Sequence, residues 1–481
     1  MSEQLTDWND LSAFAGLDMV REQVDGAIPT TEPFQQRTAS ASPAHGDTDT
    51  AGDGPGPLAP PSLSRSAYPE LLARVVDAAT YASEAHPIAV AANLLALFCS
   101  AIGRGPYQRI GDSETHPRPF FLLVGKSGKA RKGTAEHTPR EVARRADAIL
   151  RKRYGTNDRL RVHSGGLSSG EGVAFAIRDP REPDENGKGG DLGVSDKRLL
   201  VIESEFANLL ELIKRPGNVL SSMLRNLWDG RTVEPLTKNN QVTVTLPHVV
   251  VLGHITGHEL REKSTATDAA NGLHNRFIML HVHRPKLVPH PEPTPSDVLD
   301  DLAERLAEAI HFSTNGNPHG VNVREVTMTT EARELWSDLY PGITQDRAGL
   351  AGSLMARSEV YARMLAMMFA LLDMRDQIEP GDLLSAVEWV TYWRRSIEYV
   401  FLAGEEQTEL DDFTKEVLAQ VVAHPGIKLS ALQEVWNRKR IPQVKAALET
   451  LLNLAPPLVD QRIQPGAGRP ARLYYPSSSH T

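Results

Sequence analysis

Apolar residues follow four successive patterns along this 481-residue chain. Between residues 68 and 103 they recur at helical spacing. Leu71, Leu72, Val75, Val76 and Ala79 form one stripe, and Val90, Leu94, Leu95, Leu97 and Phe98 the next. From 118 to about 284, short continuous runs take over at 120–124, 199–202, 246–252 and 277–282. Such runs, alternating with helical stretches, predict a parallel sheet with helices on both faces. After Pro293 the helical spacing returns over 297–312, 329–339, 353–373 and 381–401. From 410 onward, helices at 413–422, 429–436 and 442–452 precede strands at 458–463 and 471–475, which flank the glycine-tipped turn 464–470.

These patterns divide the chain into a segment 1–65, a helical segment 66–112 that packs on the core, an α/β core 113–290, a helical region 291–405 and a tail unit 408–481. The first segment is rich in Thr, Ser, Ala, Pro, Gly and Asp. It cannot bury enough apolar surface to offset its ordering entropy, so disorder is expected, with a short helix near 11–24. Residues 1–60 hold ten acids and two Lys/Arg, so they carry −8 of the net −9. The remainder is near neutral but uneven. Residues 126–163 hold twelve Lys/Arg against four acids, and 424–481 hold eight against three. Local basic surfaces of this kind suit phosphate backbones, and ordinary solvated helix faces are the alternative. No apolar run approaches the ~18 residues a membrane helix needs, and the acidic start lacks the basic region of a signal peptide. The single cysteine, Cys99, allows neither an internal disulfide nor a Cys-based zinc site; a reducing cytoplasm fits.

The candidate chemistry begins at FFLLVGKSGKARKGT, residues 120–134. Strand, glycine turn, cation, hydroxyl and helix is the order of a phosphate-binding P-loop. Small residues let backbone N–H groups wrap a phosphate, a lysine reaches the β/γ oxygens, and a hydroxyl holds Mg²⁺. Gly125, Gly128, Arg131, Lys132, Gly133 and Thr134 are the candidates. The spelling departs from G-x-x-x-x-G-K-[ST]: Ala130 stands at the second glycine, and Gly133 separates Lys132 from Thr134. A basic surface turn ahead of an amphipathic helix is the competing reading. The run 199–202 ends at Glu203-Ser204-Glu205, where carboxylates can order Mg²⁺ and polarise water. An acidic first helical turn is the plainer explanation. The strand 246–252 leads to His254 and Thr256, placed to sense a γ-phosphate. Arg276, supported by Asn275, stands where an arginine finger would, or where a structural cation would. Glu171 opens a helix after the turn SGGLSSGEG, as a water-activating group or behind a simple Ser169 cap. His254 and His258, with His281 and His283, pass a count for zinc but not its geometry, because His254 lies on a strand end.

In this order, GKSGKARKGT, SGGLSSGEG, LLVIESEFANLL, VVVLGHITGHEL and NRF resemble the uncharacterised RecA-like helicase family associated with primases on phages, plasmids and integrated elements. The resemblance covers about 66–402. It implies a RecA-like P-loop core that binds ATP and Mg²⁺, with Lys132 on the β/γ phosphates, Thr134 and Glu203 on the metal, and Glu203 and Glu205 as catalytic carboxylates. It also implies Arg276 acting across a homo-oligomeric ring such as a hexamer, with DNA and a primase or other replication protein as partners. The family's loop ends Gly-Lys-Ser/Thr and its carboxylate strand Asp-Glu, so this chain departs at both places.

Three helices and a glycine-tipped hairpin make the tail a winged helix by pattern. Its third helix would enter a DNA groove, with Arg438, Lys439, Arg440 and Lys445 toward it and Arg469 and Arg472 beside the wing. The expectation is therefore an α/β RecA-like core with helical flanks and a C-terminal winged helix, working as an ATP-dependent DNA motor of the replicative-helicase type. A nucleotide-binding DNA adaptor without unwinding activity and a defence or partition ATPase share the same motifs.

Overall fold

The computed structural model describes residues 60–481 except 127, 129, 131, 156–159, 168, 184–188, 216, 235–241, 265–271, 346–348, 402–411, 437–439, 454–458, 465–470 and 477–481. The expected disordered segment lies outside the described residues as far as 59. Two compact units divide the chain, Met1–Tyr399 and Val400–Thr481.

The first unit is a mixed α/β structure on a five-stranded, all-parallel sheet. Its strands are β1 Phe120–Val124, β2 Val162–Ser164, β3 Arg198–Glu203, β4 His248–Ile255 and β5 Ile278–His281. Their order across the sheet is β2-β3-β4-β1-β5. The arrangement is compatible with the RecA-like core that the sequence suggests. β1, β3, β4 and β5 are buried at every position. This double burial is why they read as continuous apolar runs and not as alternations. β2 is exposed at two of its three positions. It has no apolar run, and the sequence reading missed it.

Helices α1 Glu70–Thr80 and α2 Pro87–Ile102 precede the sheet. Between strands come α3 Thr134–Tyr154, α4 Gly170–Ala176, α5 Phe206–Ile213, α6 Leu220–Asp229 and α7 Gly257–Lys263. After it come α8 Ser296–Ser313, α9 Thr330–Ile343, α10 Gly349–Leu354, α11 Ser358–Leu372 and α12 Pro380–Phe401. Cys99 is buried in α2 as a free thiol.

The helices before and after the sheet are built into this same unit. Trp389 donates its indole N–H to the Ala67 carbonyl at 3.1 Å. Tyr392 donates to the carbonyl of His281, the last residue of β5, at 2.6 Å. Backbone pairing joins distant segments too: strand Pro106–Ile110 runs antiparallel to Ser113–Thr115 and parallel to Arg324–Glu325. These strands are too short and polar to leave a periodic signal, and the sequence reading did not find them.

The second unit holds α13 Asp412–Ala423, α14 Leu429–Val435 and α15 Ile441–Asn453. Strands Ile427–Lys428, Val459–Gln464 and Ala471–Pro476 form an antiparallel sheet with the last strand in the middle. Val417, Val421, Leu432, Val444, Leu448, Leu451 and Tyr474 make its core. The three helices and the hairpin stand where the sequence reading put them, and the two-residue strand Ile427–Lys428 was not foreseen. Among the described residues, no helix is long and apolar enough to cross a membrane.

Candidate functional site

Because all five strands run the same way, their carboxyl ends share one edge of the sheet. Ligands of open α/β sheets collect at that edge. The register places Glu203 beside Gly253, His254 beside Leu123, and His281 beside Val124. The glycine turn after β1 and the loops after β3, β4 and β5 therefore meet there.

Gly125 is tied down on both sides. Its N–H donates to the Ile255 carbonyl at 3.0 Å. A Cβ at this position would lie 2.2 Å from the Val282 carbonyl oxygen and 2.9 Å from the Ala130 Cβ. Gly125 is thus a close-approach glycine, required by the backbone leaving β5. Gly128 takes a left-handed φ of 63°, with open space around it, and Gly133 is equally open. Ala130, at the place of the usual second glycine, is buried. Its N–H closes a turn onto the Lys126 carbonyl at 3.2 Å. α3 begins at Thr134 behind Gly133, with no side chain capping its first-turn N–H groups. Those amides and the helix dipole favour an anion. Arg131 lies outside the described residues.

Lys132 is half-buried and crosses from the turn to the sheet edge. Its Nζ donates to the Gly125 carbonyl at 2.5 Å and the Ile255 carbonyl at 3.1 Å. The cation thus sits between the ends of β1 and β4. It also acts on His254: burial first, and Lys132 second, push that imidazole down from its ordinary value to about 4. His254 is neutral at pH 7, and its buried Nε2 has no hydrogen-bond partner among the described residues.

The other candidates have employments of their own. Glu203 is buried, and its two oxygens accept the backbone N–H groups of Leu167 at 3.0 Å and Glu205 at 3.1 Å. It therefore fixes the turn after β2 against the end of β3. Glu205 is exposed and accepts from the Asn208 amide at 2.6 Å. Thr256 forms a capping box with Glu259 at the start of α7. Its hydroxyl donates to the Glu259 carboxylate at 2.8 Å and accepts the Glu259 N–H at 3.2 Å. Ser169 caps α4 through the Gly172 N–H at 3.0 Å, the plainer of the two readings of that turn, and Glu171 is exposed.

Arg276 points inward. It is 6% exposed and bonds both Asp229 carboxylate oxygens, at 3.0 and 3.1 Å, and the Gly272 carbonyl, at 2.6 Å. Its guanidinium lies 5.3 Å from the Trp228 ring centre, and that of Arg357 lies 4.7 Å from the same ring. Arg357 donates to the Asn275 side-chain oxygen at 3.2 Å. Tyr361 ties the group together, accepting from the Trp228 indole at 2.9 Å and donating to the Arg276 carbonyl at 2.5 Å. In this conformation Arg276 is the centre of an internal cation–aromatic cluster. The sequence reading named Arg276 and Asn275 but missed Trp228, Asp229 and Tyr361, which no motif or spacing links.

The basic segment 126–163 also looks different in three dimensions. Five α3 arginines are paired: Arg140 with Glu136, Arg144 and Arg145 with Glu141, Arg151 with Asp147, and Arg153 with Glu304. Arg145 reaches Asp300 of α8 as well, at 2.7 Å. Much of that positive charge is spent on acids of α3 and α8. No group of three or more His, Cys, Asp or Glu suited to a metal occurs among the described residues. His258 is exposed and faces Glu262 at 3.9 Å. In the tail, Arg440, Lys445 and Arg472 are exposed; Arg438, Lys439 and Arg469 lie outside the described residues.

Comparison of the chain with protein-family models gave no match, and comparison with curated proteins gave none.

Proposed function

We propose that the chain is an ATP-dependent DNA-acting motor, a RecA-like P-loop ATPase resembling the primase-associated helicase family, with a winged-helix tail. One observation carries the reading. Lys132 places its ammonium at the carboxyl edge of a parallel sheet, beside an uncapped helix start and a turn with room at Gly128 and Gly133. That donor set fits a triphosphate. β4 separates the lysine strand from the carboxylate strand, so Lys132 and Glu203 approach from strands about 10 Å apart. Such a gap suits a phosphate with a hydrated cation. Thr134 and Glu203 would hold Mg²⁺, which would neutralise charge on the phosphates. His254, neutral and with a free ring nitrogen, is the better sensor candidate, because the Thr256 hydroxyl is already engaged on both sides. The tail exposes Lys445 on α15 and Arg472 on its hairpin, as a DNA-reading winged helix would. A ring assembly would need Arg276 to leave Asp229 before reaching another subunit.

A second reading is favoured by specific contacts. Both Glu203 oxygens are engaged and Arg276 is internal. A nucleotide-binding DNA adaptor that does not turn over ATP would keep both as they are. ATP hydrolysis with and without single-stranded DNA separates the two. The motor reading expects turnover that rises with DNA, and the adaptor reading expects ATP to bind and persist.

A further inference from the structure

In the first unit, strand Pro106–Ile110 and helices α9 and α11 line an open cavity of about 540 Å³. Its charged lining is Arg109, Arg333 and Arg363 against one carboxylate, Glu325. Arg109 is engaged by acids, Glu114 at 3.5 Å and Glu325 at 3.8 Å. Arg333 and Arg363 have no carboxylate partner among the described residues, in contrast to the paired arginines of α3. Arg363 is half-buried, and burial lowers its pKa from the ordinary arginine value. Holding an unpaired guanidinium there costs free energy unless something anionic joins it.

Gln108 points to the same missing partner. It is 2% exposed, and its side-chain oxygen accepts from Arg363 Nε at 3.2 Å. Its amide nitrogen is buried without an acceptor among the described residues. Apart from the Arg363 Nε, which Gln108 accepts, the Gln108 amide N–H groups and the Arg333 and Arg363 guanidinium groups line one cavity with no acceptor among the described residues. Beside them stands an aromatic platform. Trp336 lies 5.6 Å from the Arg363 guanidinium and 5.7 Å from the half-exposed Tyr340 ring. Unpaired cations next to a flat aromatic surface are what a phosphate with a stacked base requires.

We propose that this cavity binds a nucleotide unit, with its phosphate on Arg333, Arg363 and the Gln108 amide and its base on Trp336. The site is separate from the glycine–lysine turn. The unit can come from a single strand of nucleic acid or from a free mononucleotide. In its strand form the proposal rests on the DNA-motor reading and supplies that motor's contact on the ATPase unit.

The test uses the full-length chain without ATP, a 4-thiothymidine-containing dT12 probe and 4-thiothymidine 5′-monophosphate. Each probe is photo-crosslinked and the modified peptides are mapped, and dT12 affinity is measured by fluorescence anisotropy. Crosslinking of dT12 to the Trp336 region is expected. Arg333→Glu, a change at an exposed residue, should weaken dT12 binding roughly tenfold, the order of one stacked or charge-assisted contact. Arg363→Gln should do the same if it melts like the wild type. Competition by thymidine monophosphate at the same peptide assigns the site to a free nucleotide; lack of competition assigns it to a strand. If dT12 binds but crosslinks only elsewhere, with Arg333→Glu unchanged, the site is overturned while the DNA reading stands. If neither probe binds, both fail.

Discussion

Asp229→Asn replaces the only carboxylate among the described residues that pairs with Arg276, while keeping side-chain shape. Arg276 is 6% exposed and hydrogen-bonds both Asp229 oxygens. Its pKa is already held down, first by burial and then by the Arg357 cation. Without Asp229, two guanidinium groups share the Trp228 ring with no counter-charge. Removing one partner of a buried pair costs about 3–5 kcal/mol, because the other charge is stranded. At roughly 1.4 °C per kcal/mol for a unit of about 340 residues, the melting temperature should fall by about 4–7 °C. The converse change should be milder. Arg276→Met leaves Asp229 near Arg231, at 3.7 Å, and partly open to water, and it fills the space with an apolar chain. The double variant should recover most of the loss seen in Asp229→Asn. Thermal melts of the three variants, with ATP hydrolysis measured on each, test this. An Asp229→Asn protein that melts within 1 °C of the wild type would refute the structural role. If Arg276→Met is also stable but loses turnover only at protein concentrations that assemble, Arg276 acts as a finger between subunits.

Three further outcomes follow from the same structure. Gly125→Ala drives a Cβ to 2.2 Å from the Val282 carbonyl. It should cost about 2–3 kcal/mol and impair nucleotide binding, whereas Gly133→Ala, with nothing within 4 Å, should melt like the wild type; equal melts for the two would contradict the packing argument. His86, His254 and His281 are held at about 3, 4 and 4, below the ordinary 6.5, chiefly by burial. The unfolded chain protonates below about 6.5 and the folded one only near 4, so stability is full above 6.5 and is lost as pH falls, by about 1.4 kcal/mol per pH unit for each group. Melts at pH 7.5, 6 and 5 should drop progressively, and a flat series would remove these histidines from the account. In the tail, replacing Lys445 and Arg472 with alanine should flatten the log–log salt slope of duplex binding by up to about 2, at roughly 0.9 per phosphate contact; an unchanged slope would turn the tail from DNA toward protein docking.

What could be read in the sequence follows from how each element is held. β1, β3, β4 and β5 are buried on both faces, so their apolar runs announced them. The tail helices show their buried stripe at Val417, Val421, Val444, Leu448 and Leu451. β2 is mostly exposed, and the strand at 106–110 mixes Gln108 and Arg109 with its apolar residues, so neither left a periodic trace. Strand order also has no local signature: nothing in 246–255 says that this strand lies between the lysine strand and the carboxylate strand. Spacing put Gly125, Lys132 and Glu203 at or just after strand ends, and the fold sets them at one edge of the sheet. The candidate site was not legible where a side chain chooses among partners. Arg276 reads the same on paper whether it reaches solvent or Asp229, 47 residues away. The α3 arginines likewise looked like a basic surface until α8 supplied Asp300 and Glu304.

ATP turnover by the Lys132→Ala and Arg131→Ala proteins, beside the wild type, tests the central claim most directly. Lys132 is the cation that the fold sets between the Gly125 and Ile255 carbonyls, and a bound phosphate would lose its charge-assisted contact without it. The account predicts that Lys132→Ala abolishes hydrolysis and weakens nucleotide binding, while Arg131→Ala keeps turnover. Wild-type hydrolysis by the Lys132→Ala protein would contradict it.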